Sequence, residues 1–286
     1  MTRLRRLLIG AATVAAAGLA VLGWSYRTAR LDPVVRHAEY ALPGYDGRAL
    51  TALLISDLHV AGPDMPPERL SRIVAQINAL RPDLVLIAGD LVSDKRTGTR
   101  RYSMAEAVAP LAALRPRLAT VAVLGNHDHW RSAGEAVAAL EAAAITVLSN
   151  DAVRIGPIAV GGLDDDYTSR ADLPRTLARQ REIGGVPVLL SHSPDPFPEL
   201  PAGPMLMLAG HTHCGQIRLP LIGALSTMSD SGDRYACGLV REKGRTLIVG
   251  AGVGTSILPL RLGAVPDMWL IRLVPDGGRT KETAAP

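Results

Sequence analysis

Aromatic residues, cysteines and clustered charges are scarce in this chain of 286 residues. Aromatic side chains make up 3% of it, so a core has to be built from Ala, Leu, Val and Ile. The two cysteines, Cys214 and Cys237, are too few for a disulfide framework. One disulfide would form if the domain folds outside the cytoplasm, but we expect two free thiols. Since no run of five like charges occurs, we expect no specific nucleic-acid partner.

Apolar residues are what the chain has in quantity. Hydrophobic residues make up 48% and charged residues 20%, which is typical of packed globular proteins and not of disordered ones. The length suits one large domain or two small ones. The net charge of +4 is mildly basic, and arginine supplies 28 of the 31 positive charges, scattered over the whole chain.

A stretch without charge, residues 7–26, follows three arginines near the start of the chain. It has about the length that a helix needs to cross a bilayer, and it lacks the polar face of a buried amphipathic helix. Trp24 and Tyr26 lie where interfacial aromatic residues are expected. We therefore interpret residues 1–30 as an uncleaved transmembrane anchor. A cleaved signal segment, of the twin-arginine type because of Arg5–Arg6, is the alternative.

The charges that flank this segment bear on topology. The arginines before it favour a cytoplasmic N-terminus, and Arg27 and Arg30 on the far side weaken that bias. We expect a single-pass protein of the cell inner membrane with its main domain outside the cytoplasm; a domain that faces the cytoplasm is the alternative. Residues 31–276 are predicted to form that domain, and residues 277–286 a flexible tail.

The order of apolar segments predicts the α/β class. After a linker and first strand in residues 31–47, the first half alternates strands (49–56, 84–88, 119–124, 145–148) with helices (66–80, 103–114, 132–144). Buried strands joined by helices favour a parallel sheet. The second half has a hairpin (152–155, 158–162), a helix (173–182) and four further strands (186–191, 205–209, 246–250, 268–274). The pattern predicts two sheets packed face to face, with helices outside.

Polar residues follow the ends of five apolar strands, and six of the seven histidines lie among them. In chain order these stretches are Ser56–His59, Gly89–Asp90, Gly125–His129, Ser191–His192 and Gly210–His213. Open α/β sheets bind ligands at the carboxyl ends of their strands. Together the stretches offer seven oxygen and nitrogen donors and no thiolate unless a cysteine joins, which disfavours a structural zinc site. Such donors suit two divalent ions of the Mn, Fe or Zn kind.

These five motifs, in this order, resemble those of the calcineurin-like metallophosphoesterase superfamily over nearly all of residues 53–273. The stretches Gly210–Ile217 and Gly254–Arg261 are similar to those of membrane-associated or exported bacterial phosphodiesterases. The resemblance implies a four-layer α/β/β/α sandwich of two mixed sheets with flanking helices. It also implies that metals lie at the carboxyl ends of the strands.

The resemblance further implies a role for each candidate residue. One metal would be held by Asp57, His59 and His213, and the other by Asn126, His192 and His211, with Asp90 bridging the two. A hydroxide between the ions would be the nucleophile. His127 would protonate or stabilise the leaving oxygen, a structural role being the alternative. Asp128 would orient His127 or, alternatively, cap the loop.

Three positions depart from the family pattern or lie beyond it. Purple acid phosphatases carry a tyrosine at the position of Ser93, so we do not expect a ferric-tyrosinate site here. Cys214 occupies a position that is usually glycine, and we interpret it as a tolerated small residue. We expect His129 to be solvated beside Trp130.

Several charged residues near the motifs have no role that the sequence assigns. The run Asp164–Asp166 is expected to be a solvated turn, with a role near the cleft as the alternative. Arg234 and Arg261 are able to neutralise a phosphate, but nothing in the sequence places either of them.

The expected function is that of a metal-dependent phosphoester hydrolase, most simply a phosphodiesterase acting on a small-molecule or lipid phosphoester or pyrophosphate. Hydrolysis of the pyrophosphate of UDP-2,3-diacylglucosamine in lipid A metabolism is an alternative, although that reaction takes place on the cytoplasmic side. A non-catalytic membrane-bound scaffold is the third hypothesis. Retention of all seven candidate ligands argues against it.

Overall fold

A computed structural model describes residues 2–276 of the protein, so the predicted tail at 277–286 lies outside the described residues. Within them the α-helices are α1 Arg3–Ala29, α2 Pro67–Leu80, α3 Met104–Val108, α4 Asn126–Ala142 and α5 Leu173–Ile183. Short 3₁₀ turns occur at Ala109–Ala113, Phe197–Glu199, His213–Gly215 and Gly232–Tyr235. The predicted helix at 103–114 is therefore a short α-helix that continues as a 3₁₀ turn.

The first sheet has six strands: β1 Val34–Leu42, β2 Leu50–Ile55, β4 Leu84–Ala88, β6 Ala119–Val123, β7 Thr146–Val147 and β16 Asp267–Pro275. Their order across the sheet is β1-β16-β2-β4-β6-β7. Strands β2, β4, β6 and β7 run parallel, as the strand–helix alternation predicted. Strand β16, the last among the described residues, pairs antiparallel with β2 and makes the sheet mixed.

The second sheet also has six strands: β8 Asp151–Ile155, β9 Ile158–Gly162, β10 Val186–Leu190, β11 Leu206–Ala209, β14 Gly238–Glu242 and β15 Arg245–Val249. Their order is β14-β15-β11-β10-β9-β8, with a parallel centre and an antiparallel strand at each edge. Strand β14 was not predicted. Two short ribbons complete the fold: β3 Ala61–Gly62 with β5 Arg100–Arg101, and β12 Arg218–Leu219 with β13 Gly223–Ala224.

Aliphatic side chains hold the layers together, as the shortage of aromatic residues requires. Leu54 and Val121 of the first sheet pack against Val160 and Leu208 of the second, all fully buried. Helices α2, α3 and α4 cover the outer face of the first sheet. Helix α5 and the turn that contains Phe197 cover the outer face of the second. The predicted four-layer α/β/β/α sandwich is confirmed.

Helix α4 differs most from its predicted bounds. It was expected to begin at Ser132, but it begins at Asn126 and kinks at Ser132, where the backbone is extended. The carboxylate of Asp128 accepts the N–H of Gly125, the residue that precedes the helix, and so satisfies a donor at the helix start. Polar residues that looked like a loop therefore form the first helical turn.

Helix α1 stands apart from the sandwich over most of its length. It is long and apolar enough to cross a membrane, as predicted, and its first twenty-two residues are exposed. Only Ser25, Thr28 and Ala29, in its last turns, are buried against the domain. There the carbonyl oxygen of Ser25 accepts the backbone N–H of Arg261 at 2.9 Å.

We expect truncation of a leucine in the core between the two sheets to destabilise the protein. Leu208→Ala removes a fully buried side chain and leaves a cavity between the sheets, which we expect to lower the free energy of unfolding by about 2–5 kcal/mol. The matched control is Leu118→Ala, at a partly exposed residue, with a change within about 0.5 kcal/mol. Denaturant unfolding of the full-length protein in detergent measures both. Equal losses would contradict this account of the core.

Candidate metal centre

The five polar stretches converge where parallel strands of both sheets end. Asp57, Asp90 and Asn126 follow β2, β4 and β6 of the first sheet, and His192 and His211 follow β10 and β11 of the second. All seven predicted ligand residues, which include His59 and His213, are buried there. The structure thus brings together every candidate ligand that the sequence predicted, as expected for strand ends in α/β sheets.

One group of donor atoms comes from Asp57, His59 and His213. The two imidazole Nε2 atoms lie 3.0 Å apart. Oδ1 of Asp57 lies 3.5 Å from Nε2 of His213. On the other side, Oδ2 of Asp90 lies 3.3 Å from Nε2 of His59. Four donor atoms thus surround one small volume.

A second group shares Asp90 with the first. The same Oδ2 of Asp90 lies 3.3 Å from Nε2 of His192. That nitrogen is 3.2 Å from Oδ1 of Asn126 and 3.1 Å from Nδ1 of His211. Because a single carboxylate oxygen faces both groups, the arrangement has the form of two adjacent sites with one common donor.

The ionisation behaviour of these groups suits a bound cation. Burial lowers the pKa of His59 and of His213 well below the usual value, which favours the neutral imidazole that binds a metal ion. Burial raises the pKa of Asp57 to about 6. Among the described residues no lysine or arginine forms an ion pair with Asp57 or Asp90. The donor set therefore fits divalent cations.

Contacts outside the cluster fix the direction of two rings. The Nδ1–H of His192 donates to the carbonyl oxygen of Ala88 at 2.7 Å, which leaves Nε2 to face Asp90. The Nε2–H of His211 donates to the carbonyl oxygen of Met228 at 2.9 Å, which leaves Nδ1 to face His192. Hydrogen bonds of this kind select the tautomer of a ligating histidine.

Backbone conformation also distinguishes the site. Five of the seven candidate ligands have a positive φ between 44° and 69°: Asp57, His59, Asp90, His211 and His213. Residues other than glycine seldom adopt this left-handed region, and such strain clusters at functional sites. The strand ends turn sharply here, which aims the side chains of neighbouring strands at one point.

Two glycines make this close approach sterically possible. A Cβ at Gly125 would lie 2.3 Å from Oδ1 of Asp90, and a Cβ at Gly210 would lie 2.5 Å from Oδ2 of Asp57. Any side chain at either position would displace a carboxylate. The Gly-Asn-His and Gly-His-x-His motifs thus need their glycine for space, beside the chemistry of the residues that follow.

The contacts of Asp128 favour the capping role over the predicted orientation of His127. Its carboxylate accepts the backbone N–H groups of Gly125, Asp90 and Leu91 at 2.8–3.0 Å. Among the hydrogen bonds of the described residues, none joins the Asp128 carboxylate to the His127 ring. Asp128 therefore joins the end of β4 to the start of α4. Burial, with the nearby charge of Asp90, raises its pKa to about 7.

His127 lies at the edge of the cluster and faces the cavity above it. Its backbone N–H donates to Oδ1 of Asp90 at 2.9 Å, so its position depends on that residue. Its ring is edge-on to His59 and to Trp130 at centroid distances of 4.8 and 4.9 Å. The nearest carboxylate to Nδ1 is that of Asp94, at 3.6 Å. A side chain in this position reaches both the donor cluster and the cavity.

The prediction of two free thiols is wrong, because Cys214 and Cys237 form a disulfide. Cys214 directly follows His213, so it is a cross-link and not a tolerated small residue. The bond closes a segment that includes Met228, whose carbonyl oxygen accepts a hydrogen bond from the Nε2–H of His211. Two cysteines 23 residues apart gave no indication of pairing, because only the turn of the chain after His213 brings them together.

The prediction that His129 is solvated is also wrong. Its Nε2 lies 2.7 Å from Oδ1 of Asp164, and both side chains are mostly buried. The run Asp164–Asp166 is likewise no solvated turn, since Asp165 is fully buried and its carboxylate accepts the backbone N–H of Thr168. Burial and neighbouring carboxylates raise the pKa of Asp166 to about 6.

Neither arginine that the sequence left unplaced is available to a substrate. Arg261 is fully buried and donates to the carbonyl oxygens of Ala251, Gly252 and Gly254, with its guanidinium 3.2 Å from Nδ1 of His213. Arg234 lies on the surface and pairs with Glu242. Arg261 therefore supports the loop behind His213.

A cavity of about 370 Å³ opens directly above the cluster. Its base contains Asp90, Asn126, His127, His211 and His213. Its walls include residues to which the sequence gave no role: Trp130, Tyr167, Thr212, Gln216, Ile217, Leu225, Met228, Ile257 and Leu258. Several of these lie in the stretches Gly210–Ile217 and Gly254–Arg261. The similarity of these stretches to those of exported phosphodiesterases was the one sign in the sequence that could have found them.

The α/β/β/α fold with a buried carboxylate, amide and imidazole cluster at its strand ends defines a metal-dependent hydrolase. Residues 50–215 match the family described as calcineurin-like phosphoesterase. The chain belongs to this family and is a metallophosphoesterase.

Individual relatives agree with this assignment. The chain is 30% identical to the metallophosphoesterase YkuE of Bacillus subtilis, over 94% of this chain and 96% of that one. It is 32% identical to the phosphodiesterase YaeI of Escherichia coli, over 78% of this chain and 81% of that one. It is 30% identical to a transmembrane protein with a metallophosphoesterase domain from Danio rerio, over 75% of this chain and 51% of that one.

The disulfide beside His213 predicts a stability effect. Replacement of both cysteines, Cys214→Ala with Cys237→Ala, frees the intervening segment in the unfolded state, and we expect a loss of about 2–4 kcal/mol. Thermal unfolding measures it, and thiol titration checks the bond. Reductant should destabilise the wild type and leave the double variant unchanged. Two titratable thiols in wild-type protein purified without reductant would contradict the assignment.

Proposed function

We propose that this protein is a phosphodiesterase that uses two divalent metal ions. The observation that carries the proposal is the position of Asp90, whose Oδ2 lies 3.3 Å from His59 on one side and 3.3 Å from His192 on the other. A shared carboxylate between two donor groups is the arrangement that two-metal hydrolytic sites use. Residues 31–276 are the domain that holds this site.

The donor atoms divide between the two ions according to the groups they form. One ion would be held by Asp57, His59 and His213, the other by Asn126, His192 and His211, and both by Asp90. Manganese, iron and zinc accept such mixed oxygen and nitrogen ligands. When bound, a pair of divalent ions activates water for attack at phosphorus and polarises the phosphoryl oxygens.

The chain's own residues supply proton transfer and binding. His127 has its ring beside His59 and open to the cavity, where it protonates the leaving oxygen of the ester. Asp90 holds the backbone of His127, and Asp128 holds the loop that precedes it. Trp130 and Tyr167 form the part of the wall that contacts the rest of the substrate.

The charge of the cavity favours a diester over a monoester. Among the described residues, no lysine or arginine lines it. A phosphomonoester carries close to two negative charges at neutral pH, and proteins usually meet these with arginine or lysine. A phosphodiester carries one charge and two organic substituents, which suits a site whose walls are apolar.

The disulfide supports a place outside the cytoplasm for the domain. Structural disulfides form in oxidising compartments and are rare in the cytosol. With α1 as a single-pass anchor in the inner membrane, the domain would lie on the extracytoplasmic side. Hydrolysis of UDP-2,3-diacylglucosamine, which takes place on the cytoplasmic side, fits this placement less well. The buried donor cluster also argues against a non-catalytic scaffold.

Hydrolysis of bis-p-nitrophenyl phosphate tests the function. We expect Mn²⁺-dependent turnover that chelation abolishes. His127→Ala should lower kcat by roughly 10²–10⁴ because the leaving group loses its proton donor, with the metal content kept. Asp90→Ala should lose both activity and metal, since it removes the shared donor. The matched control is His37→Ala, an exposed histidine outside the site, with both properties unchanged.

Two results would reject this function. One is the absence of hydrolysis by wild-type protein on diesters and monoesters with Mn²⁺, Fe²⁺ and Zn²⁺ supplied in turn. The other is a His127→Ala variant that retains wild-type kcat with full metal content. Elemental analysis of each preparation separates a loss of metal from a loss of catalysis.

Protease digestion tests the topology. In spheroplasts, added protease should degrade the domain, because it projects from the outer face of the inner membrane, whereas in intact cells the outer membrane should protect it. A cytoplasmic marker protein must stay intact in both samples. Protection of the domain in spheroplasts, with digestion only after detergent is added, would reverse the assigned orientation.

A further inference from the structure

The mouth of the cavity is apolar on the side away from the donor cluster. Ile217, Leu225, Ile257 and Leu258 line it, and the last three of these side chains are exposed. Large apolar side chains grouped around a binding site mark a surface that contacts another apolar phase.

The hairpin of β12 and β13 extends the apolar side of the cavity mouth outward. Leu221 and Ile222 form its tip, and Leu221 is fully exposed while Ile222 is 69% exposed. The base of the hairpin leads back to the cavity, since the N–H of Leu225 donates to the carbonyl oxygen of Ile217. The tip therefore continues the cavity rim into solvent with two unpartnered aliphatic side chains.

The hairpin is fixed to the segment that carries Ile257 and Leu258. The N–H of Arg218 donates to the carbonyl oxygen of Leu262 at 2.7 Å, and the side-chain amide of Gln216 donates to that of Leu258 at 3.0 Å. The two apolar segments are thus joined into one rim. We call this set, Leu221, Ile222, Leu225, Ile257 and Leu258, the apolar rim.

The segment that carries Ile257 and Leu258 is also hydrogen-bonded to the end of helix α1. The N–H of Arg261, three residues after Leu258, donates to the carbonyl oxygen of Ser25 at 2.9 Å. Trp24 and Tyr26 flank Ser25, with the arginines of the next turn packed over their rings. Aromatic residues and arginines of this kind lie at the membrane–water boundary. The apolar rim is therefore held where the apolar helix would leave the bilayer.

We propose that the apolar rim docks on the membrane that holds α1, and that the site hydrolyses phosphodiesters attached to a lipid chain. This rests on the proposed function and names its substrate class. The singly charged phosphodiester would reach the donor cluster, while the chain lies along Ile257 and Leu258 with its end in the bilayer. Water adds across one P–O ester bond, which yields a phosphomonoester and an alcohol that takes the proton.

Two substrates with one scissile bond test this. They are 4-nitrophenyl hexadecyl phosphate in phosphatidylcholine vesicles and 4-nitrophenyl ethyl phosphate in solution, both assayed with Mn²⁺ and the full-length protein reconstituted in the vesicles. The variant is Leu221→Ser with Ile222→Ser, neither of which lines the cavity. The matched control is Leu118→Ser, an exposed leucine at the opposite, amino end of β6.

The wild type should prefer the hexadecyl ester. The rim variant should lose about tenfold in kcat/KM on that ester, because two aliphatic side chains no longer enter the membrane. Its turnover of the ethyl ester should be unchanged, which also reports correct folding. Leu118→Ser should change neither. A wild type that prefers the ethyl ester, or a rim variant equal to the wild type on the hexadecyl ester, overturns the inference.

A readout independent of catalysis separates this inference from the proposed function. In Leu221→Trp, fluorescence should be quenched by brominated phosphatidylcholine beyond the quenching that Trp24 gives in the wild type. Leu118→Trp should show no added quenching. Absence of added quenching in Leu221→Trp overturns docking even where hydrolysis proceeds. If neither ester is hydrolysed by the metal-loaded wild type, the proposed function fails, and the substrate class fails with it.

Discussion

Asp90 is the residue on which the geometry of the site most depends. Its Oδ2 faces His59 and His192, which belong to different sheets, and its Oδ1 accepts the N–H of His127. Burial alone would raise its pKa, but His192, whose Nε2 lies 3.3 Å from Oδ2, holds the pKa of Asp90 well below its usual range. A buried carboxylate without a lysine or arginine partner is costly unless a cation neutralises it. The two sheets therefore meet around a buried carboxylate that a divalent cation would neutralise.

Most of the fold, and the convergence of the seven candidate ligands, could be predicted from the sequence for physical reasons. Strand β4 and helix α2 follow from apolar periodicity, and the five polar stretches had to converge because parallel strands end at one edge. What could not be predicted depends on contacts between distant residues. Helix α4 begins six residues early because Asp128 binds backbone groups on two strand ends. His129 is buried because Asp164, from the other sheet, reaches it.

Chemistry and specificity have separate origins in this chain. The donor atoms lie on strand ends, where packing between the sheets fixes them, and such positions tolerate little change because Gly125 and Gly210 leave no free space. Most of the cavity wall comes from the long connections after β11 and β15, and Trp130 of α4 and Tyr167 after β9 complete it. Loops on a rigid scaffold are where binding preferences vary. The walls therefore determine which ester enters, and the strand ends determine what happens to it.

Because of the disulfide, the conformation of the site depends on whether the chain folds in an oxidising compartment. Cys214 follows His213, and the segment that it closes with Cys237 carries Met228, the acceptor for the His211 ring. The same segment carries the β12–β13 hairpin and its exposed leucine and isoleucine. One covalent bond thus restrains a candidate ligand, part of the cavity wall and the hairpin part of the apolar rim together. A chain that folded in a reducing compartment would lack this restraint, so the complete cavity depends on oxidation of the two cysteines.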